Sequence, residues 1–349
     1  MPTQRGCGMR QVARQVCLVV GMLLVMTFSA TGGTATPTMA SLRQVLQGKT
    51  LVIGFSSRPT VMDVVGVKTA ELLKADFGVE TSYRSLDAPA LAAAVITGQI
   101  PVGEVSLGRI ASMAIEGGNP LVFATNDVGN DFVIVGRKSI TSVADMKGKV
   151  WGASSSSGIT ITIRDGLLRQ ANLSPDDLRI VVLGGSTAVV QALLAGRADV
   201  GLMHVDQAAQ VIERSPDHHI ISYTYKQFPL VNDVWFAQRS WVQQNREMAL
   251  AVTVASIKAA RWARDNKEEF VKASLAYVPD LTQKVAEFSW EQGTRVIKVW
   301  DPNGGLKLEN CAATLRVSLE TGAIKRAIDC SEFVTFEFQV QARQILGVR

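Results

Sequence analysis

Short runs of consecutive apolar residues alternate along most of this chain with stretches whose apolar positions recur at helical spacing. Leu51, Val52, Ile53, Gly54 and Phe55 form a buried-strand pattern, residues 56–60 turn polar, and Val64, Val65, Ala70, Leu72 and Leu73 then recur at helical spacing. The unit repeats. Residues 79–83 read as a strand, 89–97 as an alanine-rich helix stopped by Gly98, 102–105 as a strand, and 106–108 as its loop. Residues 109–115 read as a helix and 121–124 as a strand. A second series follows the apolar run 132–135: a short capped helix at 142–146, a strand at 150–153, a serine loop at 154–158 and a helix at 159–170. It continues with a strand at 178–183, a loop at 184–186, a helix at 188–195 and a strand at 200–203. Strand–helix alternation of this kind predicts an α/β fold with mostly parallel sheets flanked by helices.

The two series are related in detail. Residues 92–103 align without gaps to 190–201, an offset of 98 positions, and each copy is a helix ended by glycine and followed at once by a strand. Beyond Trp241 the pattern turns helical, over 246–277 and 281–300, with breaks at Pro279 and at Pro302-Asn303-Gly304-Gly305. Residues 333–338 fit either a strand or the start of a last helix.

Composition changes the picture mainly at the N-terminus. The 349 residues are 47% hydrophobic and 19% charged, which places the chain among globular proteins. Arg5, Arg10 and Arg14 precede an apolar run over 16–26, small residues follow to Ala40, and the first acidic residue is Asp63. That is the layout of a secretory signal, and the run is too short for the roughly 20 apolar residues of a membrane span. A signal peptide is expected over 1–35, with cleavage as late as Ala40, and a periplasmic mature protein; an uncleaved anchor is the alternative. Without residues 1–35 the formal charge falls from +5 to +2, because that segment holds three Arg and no acid. The remaining Lys and Arg are scattered, with no basic stripe beside aromatics, so no nucleic-acid partner is expected.

Only Cys311 and Cys330 lie beyond the leader, and they are read either as a disulfide or as two buried thiols. The three histidines, His204, His218 and His219, show no metal-ligand spacing with them. His218 and His219 read as part of a surface loop. No P-loop, dinucleotide fingerprint or nucleophile elbow occurs, so neither a cofactor nor catalysis is expected.

Two segments carry a family resemblance: Ser142-Val143-Ala144-Asp145-Met146-Lys147-Gly148-Lys149 leading into a strand, and the run from Gly184-Gly185-Ser186-Thr187 to Ala198-Asp199-Val200-Gly201. Over about 48–300 the chain resembles the nitrate/sulfonate/taurine group of periplasmic binding proteins of ABC importers, with their thiamine-precursor-binding relatives. The resemblance implies a two-lobed type II periplasmic binding protein with two crossing strands as hinge. Lobe one would comprise 45–130 plus 237–349 and lobe two 131–236, with crossings near 130–136 and 232–238. It implies a monomer that captures a small organic anion, sulfonate- or carboxylate-like, and delivers it to an importer permease. A TRAP-type or sensor-system receptor shares that fold. An enzyme related to the thiamine-precursor group is a further alternative, against which stands the lack of a cysteine-rich segment.

Ligands of open α/β sheets sit beyond the carboxyl ends of the strands, where loops enter helices. The candidate ligand-binding residues are accordingly Ser56, Ser57 and Arg58 in the first loop, Ser106 after the third strand, and Asn126 and Asp127 near the first crossing. In the second series they are Ser156, Ser157, Gly158, Gly185, Ser186 and His204, with Trp235 as an apolar wall at the second crossing. Hydroxyls and backbone N–H groups at helix starts make an anion cradle, and Arg58 adds a bidentate clamp. Each also has a plain structural reading: helix caps for the serines, a solvated surface Arg, a turn for Asn126-Asp127, a structural His204 and core packing for Trp235.

Overall fold

Ten strands build two sheets of the same design in the computed structural model, which describes residues 37–56 and 60–349. The leader, Ser57 and Arg58 lie outside the described residues. The first sheet holds β1 (Thr50–Ser56), β2 (Glu80–Leu86), β3 (Val102–Ser106), β4 (Pro120–Thr125) and β10 (Asp233–Gln238), in the order β2-β1-β3-β10-β4. The second holds β5 (Phe132–Arg137), β6 (Val150–Ala153), β7 (Arg179–Val182), β8 (Val200–His204) and β9 (His218–Tyr223), in the order β7-β6-β8-β5-β9. In each, β1–β2, β1–β3 and β6–β7, β6–β8 pair in parallel, and one strand, β10 or β5, runs antiparallel between its neighbours. That reversed strand is the one by which the chain arrives from the other sheet. The expected α/β fold of two mostly parallel sheets is therefore present in both halves.

The 98-residue offset is structural. Ile53 pairs with Val102 as Trp151 pairs with Val200, and Gly54 with Gly103 as Gly152 with Gly201. The helix stops match bond for bond: Gly98 N–H donates to Val95 O as Gly196 does to Leu193 O, and Ile100 N–H to Ala94 O as Ala198 does to Ala192 O. Both glycines sit at positive φ, 77° and 68°, where a side chain would be strained.

The inner strands β3, β5 and β8 bury both faces, since successive strand residues point to opposite sides, whereas the edge strands β2 and β7 are largely exposed. Trp235 belongs to the core on one face of the first sheet and Phe236 to that on the other. The largely buried helix Arg246–Asp265 lies against the former, and its Ser256 Oγ accepts from Trp235 Nε1 at 3.3 Å.

Three expectations are corrected. Residues 106–108 form no loop, because β3 runs directly into helix Leu107–Ile115 with Ser106 as its cap. His218 and His219 lie in β9, paired with β5, where His218 is buried and His219 Nε2 meets Ile140 O at 2.8 Å. Only Ile220 and Ile221 are apolar there, too short a run to signal an edge strand. The long helix expected over 246–277 breaks at Asn266 into Arg246–Asp265 and Lys267–Tyr277, and the one over 281–300 ends in a π turn, Gln292–Val296, after Gln283–Glu291. Helix Leu308–Glu320 follows, and residues 333–338 divide, Val334 bridging Val122 before helix Glu337–Leu346 begins. Cys311 and Cys330 are joined as a disulfide. Among the described residues no helix is long and apolar enough to cross a membrane, and no group of acidic, His and Cys side chains is placed to hold a metal ion.

Candidate ligand-binding site

The carboxyl ends of the parallel strands of both sheets border one open cleft of about 620 Å³. Ser56 ends β1 and Ser106 ends β3; Ser154, Ser155, Ser157 and Gly158 follow β6, Ser186 follows β7, and His204 ends β8. Phe132 and Asp233, the first residues of the reversed strands, complete the wall with Asp63. This is where fold and sequence together place N–H groups and hydroxyls. Helices Ile159–Gln170 and Ser186–Leu194 start from Gly158 and Gly185, and neither receives a side-chain cap. Their positive ends are thus available to a solute.

The second-sheet side carries a buried ion pair. His204 Nδ1 lies 2.9 and 3.0 Å from the two Asp131 carboxylate oxygens, and its ring rests 4.4 Å from that of Phe132. Burial disfavours the imidazolium, but the Asp131 charge and hydrogen bond outweigh it, aided by Asp206 and Asp63, and the pKa rises to about 9. His204 is therefore cationic at neutral pH. Asp206, fully buried, accepts from Val61 N–H at 3.0 Å, joining the helix after β8 to the loop after β1. Burial raises its carboxyl to about 6, with His204 pulling the other way.

The remaining candidates separate. Ser56, Ser106, Ser157, Gly158, Ser186 and His204 line the cleft, and Gly185 lies at its mouth opposite Ser85, Leu86 and Asp87. Ser156 is exposed and does not line it. Asn126 and Asp127 are buried in the first connection between sheets, where Asn126 Nδ2 donates to Glu104 Oε1 at 3.0 Å. Asp127, desolvated and beside Asp233 and Glu104, has its pKa raised well above the carboxylate range. Trp235 is fully buried against Phe55 and lies in the core instead of the cleft wall. Ser57 and Arg58 fall outside the described residues.

The profile of the family described as NMT1/THI5 like matches residues 78–270, more than half of the chain. The chain belongs to that family. No curated protein matches it by sequence. Three solved structures give the fold: the periplasmic nitrate-binding protein NrtA from Synechocystis PCC 6803, with 14% identity, TM-score 0.70 and coverage of 86% of this chain and 90% of that one. The periplasmic aliphatic sulphonate binding protein SsuA from Escherichia coli gives 15%, 0.64, 82% and 92%. A mutant of DszB in complex with biphenyl-2-sulfinic acid gives 14%, 0.59, 85% and 99%. The two-lobed binding-protein fold is thereby established for this NMT1/THI5-like chain, as the resemblance had implied.

Among the wall residues of this family member that escaped sequence reasoning are Asp63, Phe132, Asp233 and, in an adjoining cavity, Arg109. The first three bear on the cleft through loop geometry or strand reversal, which no local pattern reveals. Arg109 had a signal, since it follows Ser106 by three residues on a helix that starts at the strand end.

Proposed function

We propose that the chain is an extracytoplasmic solute-binding protein that captures a small organic anion and delivers it to an ABC importer. Its lobes would be 45–130 with 237–349, and 131–236, closing on the solute about the connections 126–131 and 224–232. One observation carries the reading: hydroxyl-bearing strand ends of both sheets and two uncapped helix starts of the second converge on a single cleft. Sulfonate, nitrate and sulfinate, the anions named for the structural relatives, suit such a cradle.

The site favours binding over catalysis. Among the described residues no cleft serine hydrogen-bonds to an imidazole or a carboxylate: Ser157 Oγ accepts from Arg109, Ser186 Oγ from Gln207, and Ser154 Oγ meets Thr160. Nucleophile and base are thus not paired. Export fits the start of the fold. Cleavage after Ala35 keeps Thr38, whose side chain caps helix Met39–Leu46 and so seats the buried Leu42 and Leu46, whereas cleavage after Ala40 removes that cap.

A thermal-shift screen with sulfonates, nitrate, carboxylates and pyrimidines tests the reading. An anion present at a hundredfold excess over its Kd is expected to add about 2.7 kcal/mol of stability and to be recovered unchanged. Consumption of the compound would make the protein an enzyme.

A further inference from the structure

Arg109 stands out as a cation placed beside the cleft with no carboxylate to pair with. It is the third residue of helix Leu107–Ile115, on the first sheet's side, and its Nη2 donates to Ser157 Oγ in the loop before helix Ile159–Gln170, on the second sheet's side. It forms no ion pair among the described residues, and its Nε is buried without an acceptor. Burial lowers its pKa, with Glu116 and Asp87 acting only from a distance. The guanidinium borders a small cavity that shares Ser106, Ser157, Gly158 and Ile159 with the main cleft. Its wall also carries the hydroxyls of Thr162, Thr314 and Ser318 beside the apolar Leu230, Val231 and Ala323. Gly158, at φ 95°, turns the uncapped start of helix Ile159–Gln170 toward this point, so close that a Cβ there would lie 3.9 Å from Arg109 Nη2.

The internal repeat supplies a control. At the 98-residue offset Arg109 corresponds to Gln207, also the third residue of the helix that follows its strand. Gln207 Nε2 also donates to a cleft serine, Ser186 Oγ at 3.0 Å, there within the second sheet's own side, where Arg109 reaches across to Ser157. A neutral amide is therefore sufficient to hold such a serine. The positive charge on the first-sheet side is surplus to that task, and a partly buried cation with no counter-charge is stabilised when an anion joins it. The other end of the cleft is lined by the Asp131–His204 ion pair, whose cation is already matched by a carboxylate.

We infer that Arg109 is the anchor for the solute's acidic group, an oxyanion of the carboxylate or sulfonate type, held at the start of helix Ile159–Gln170 with the rest of the solute pointing toward His204. The inference rests on the solute-binding reading above. The Nε–Nη2 edge of the guanidinium offers two parallel donors to one acid, and Ser157 and the first helical N–H groups complete the cradle.

The test is titration calorimetry of the parent, Arg109→Gln and Arg109→Lys against two matched pairs: benzoate with benzamide, and pentanesulfonate with pentanesulfonamide. Arg109→Gln copies the residue at the repeat position and keeps a donor for Ser157, and its unliganded melting temperature checks that it folds. One acid is expected to bind the parent in preference to its amide, to weaken by about ten- to a hundredfold in Arg109→Gln, and to recover in part in Arg109→Lys. Retention of the acid's affinity within twofold in Arg109→Gln overturns the anchor. Preference of the parent for the amides overturns it too, while leaving a solute receptor. Failure of all four compounds to bind the parent counts against both this inference and the organic-anion reading on which it rests.

Discussion

At the scale of single residues, the buried pair of His204 and Asp131 makes stability depend on pH in a definite direction. The folded pKa of His204 stands at about 9 against 6.5 for the free side chain, so the fold prefers the imidazolium. The resulting stabilisation is complete below about pH 6.5 and is lost as pH rises through 9. Asp206 acts in the same sense lower on the scale: its carboxyl is raised from 3.8 to about 6, so its contribution is present below 3.8 and lost as pH rises through 6. Melting temperature is therefore expected to fall between pH 6.5 and 9.5 by the equivalent of up to about 3 kcal/mol for His204 alone. The step should vanish in His204→Gln; equal slopes in parent and variant would refute the assignment. Sequence position placed His204 correctly at a strand end facing the cleft. Its partner was invisible, because Asp131 lies 73 residues away and meets it only through the pairing of β5 with β8. Trp235 erred for the opposite reason: nearness to a crossing says nothing of which face of β10 a side chain occupies, and that face is the core.

Between elements, the packing of helix on sheet is set by glycines in the central strands. A Cβ on Gly201 of β8 would lie 2.5 Å from Val189 Cγ1 and 3.3 Å from Gly152 O, and one on Gly103 of β3 would lie 2.8 Å from Val95 Cγ2. Valine in a helix is stiff at χ1 and cannot turn aside. Gly201→Ala is expected to cost about 1–3 kcal/mol in urea unfolding; an unchanged midpoint would show that the helix can shift away. The disulfide acts on a different part of the molecule, tying helix Leu308–Glu320 to the turn at Cys330 across a separation of 19 residues. Its removal in a Cys311→Ser, Cys330→Ser double variant should lower stability by about 3 kcal/mol in the same assay, and equal stability with and without it would mean that packing alone orders the segment. The strands and helices of both sheets were legible because apolar runs and glycine stops alternate at short range. Less legible were Asn266, which ends a helix without any glycine or proline, and β9, whose two isoleucines are too few to make a pattern. The disulfide stood as one of two readings, since pairing depends on a long-range approach of elements.

Across the whole molecule, the C-terminal third joins what the two sheets separate. Helix Leu308–Glu320 packs on helix Leu107–Ile115 from the first sheet's side and on Ile159–Gln170 from the second's. Thr314 Oγ1 there accepts from Val231 N–H at 2.9 Å, and Arg169 reaches Glu320 O. Thr282, at the start of helix Gln283–Glu291, donates to Glu213 at 3.0 Å on the helix after β8. Sequence patterning marks helices over 246–277 and 281–300 but neither helix Leu308–Glu320 nor the surfaces these elements cover, so their contact with both halves was not legible. A consequence follows for how a solute reaches the cleft. The side toward Thr314, Ser318 and Ala323 is covered by this segment, whereas on the other side the end of β2 faces the loop after β7 across a gap of about 930 Å³. Opening is easiest where the fewest packed contacts must part, so the solute should pass between residues 85–87 and 184–188. Hydrogen exchange followed by mass spectrometry can test this with any compound found to stabilise the protein. Bound solute is expected to slow exchange at 85–87, 154–158 and 184–188 and to leave 308–320 unchanged, because that helix is packed in both states. Protection gained at 308–320 with none at 184–188 would instead make the C-terminal helix the moving cover and the gap between β2 and β7 a fixed surface feature.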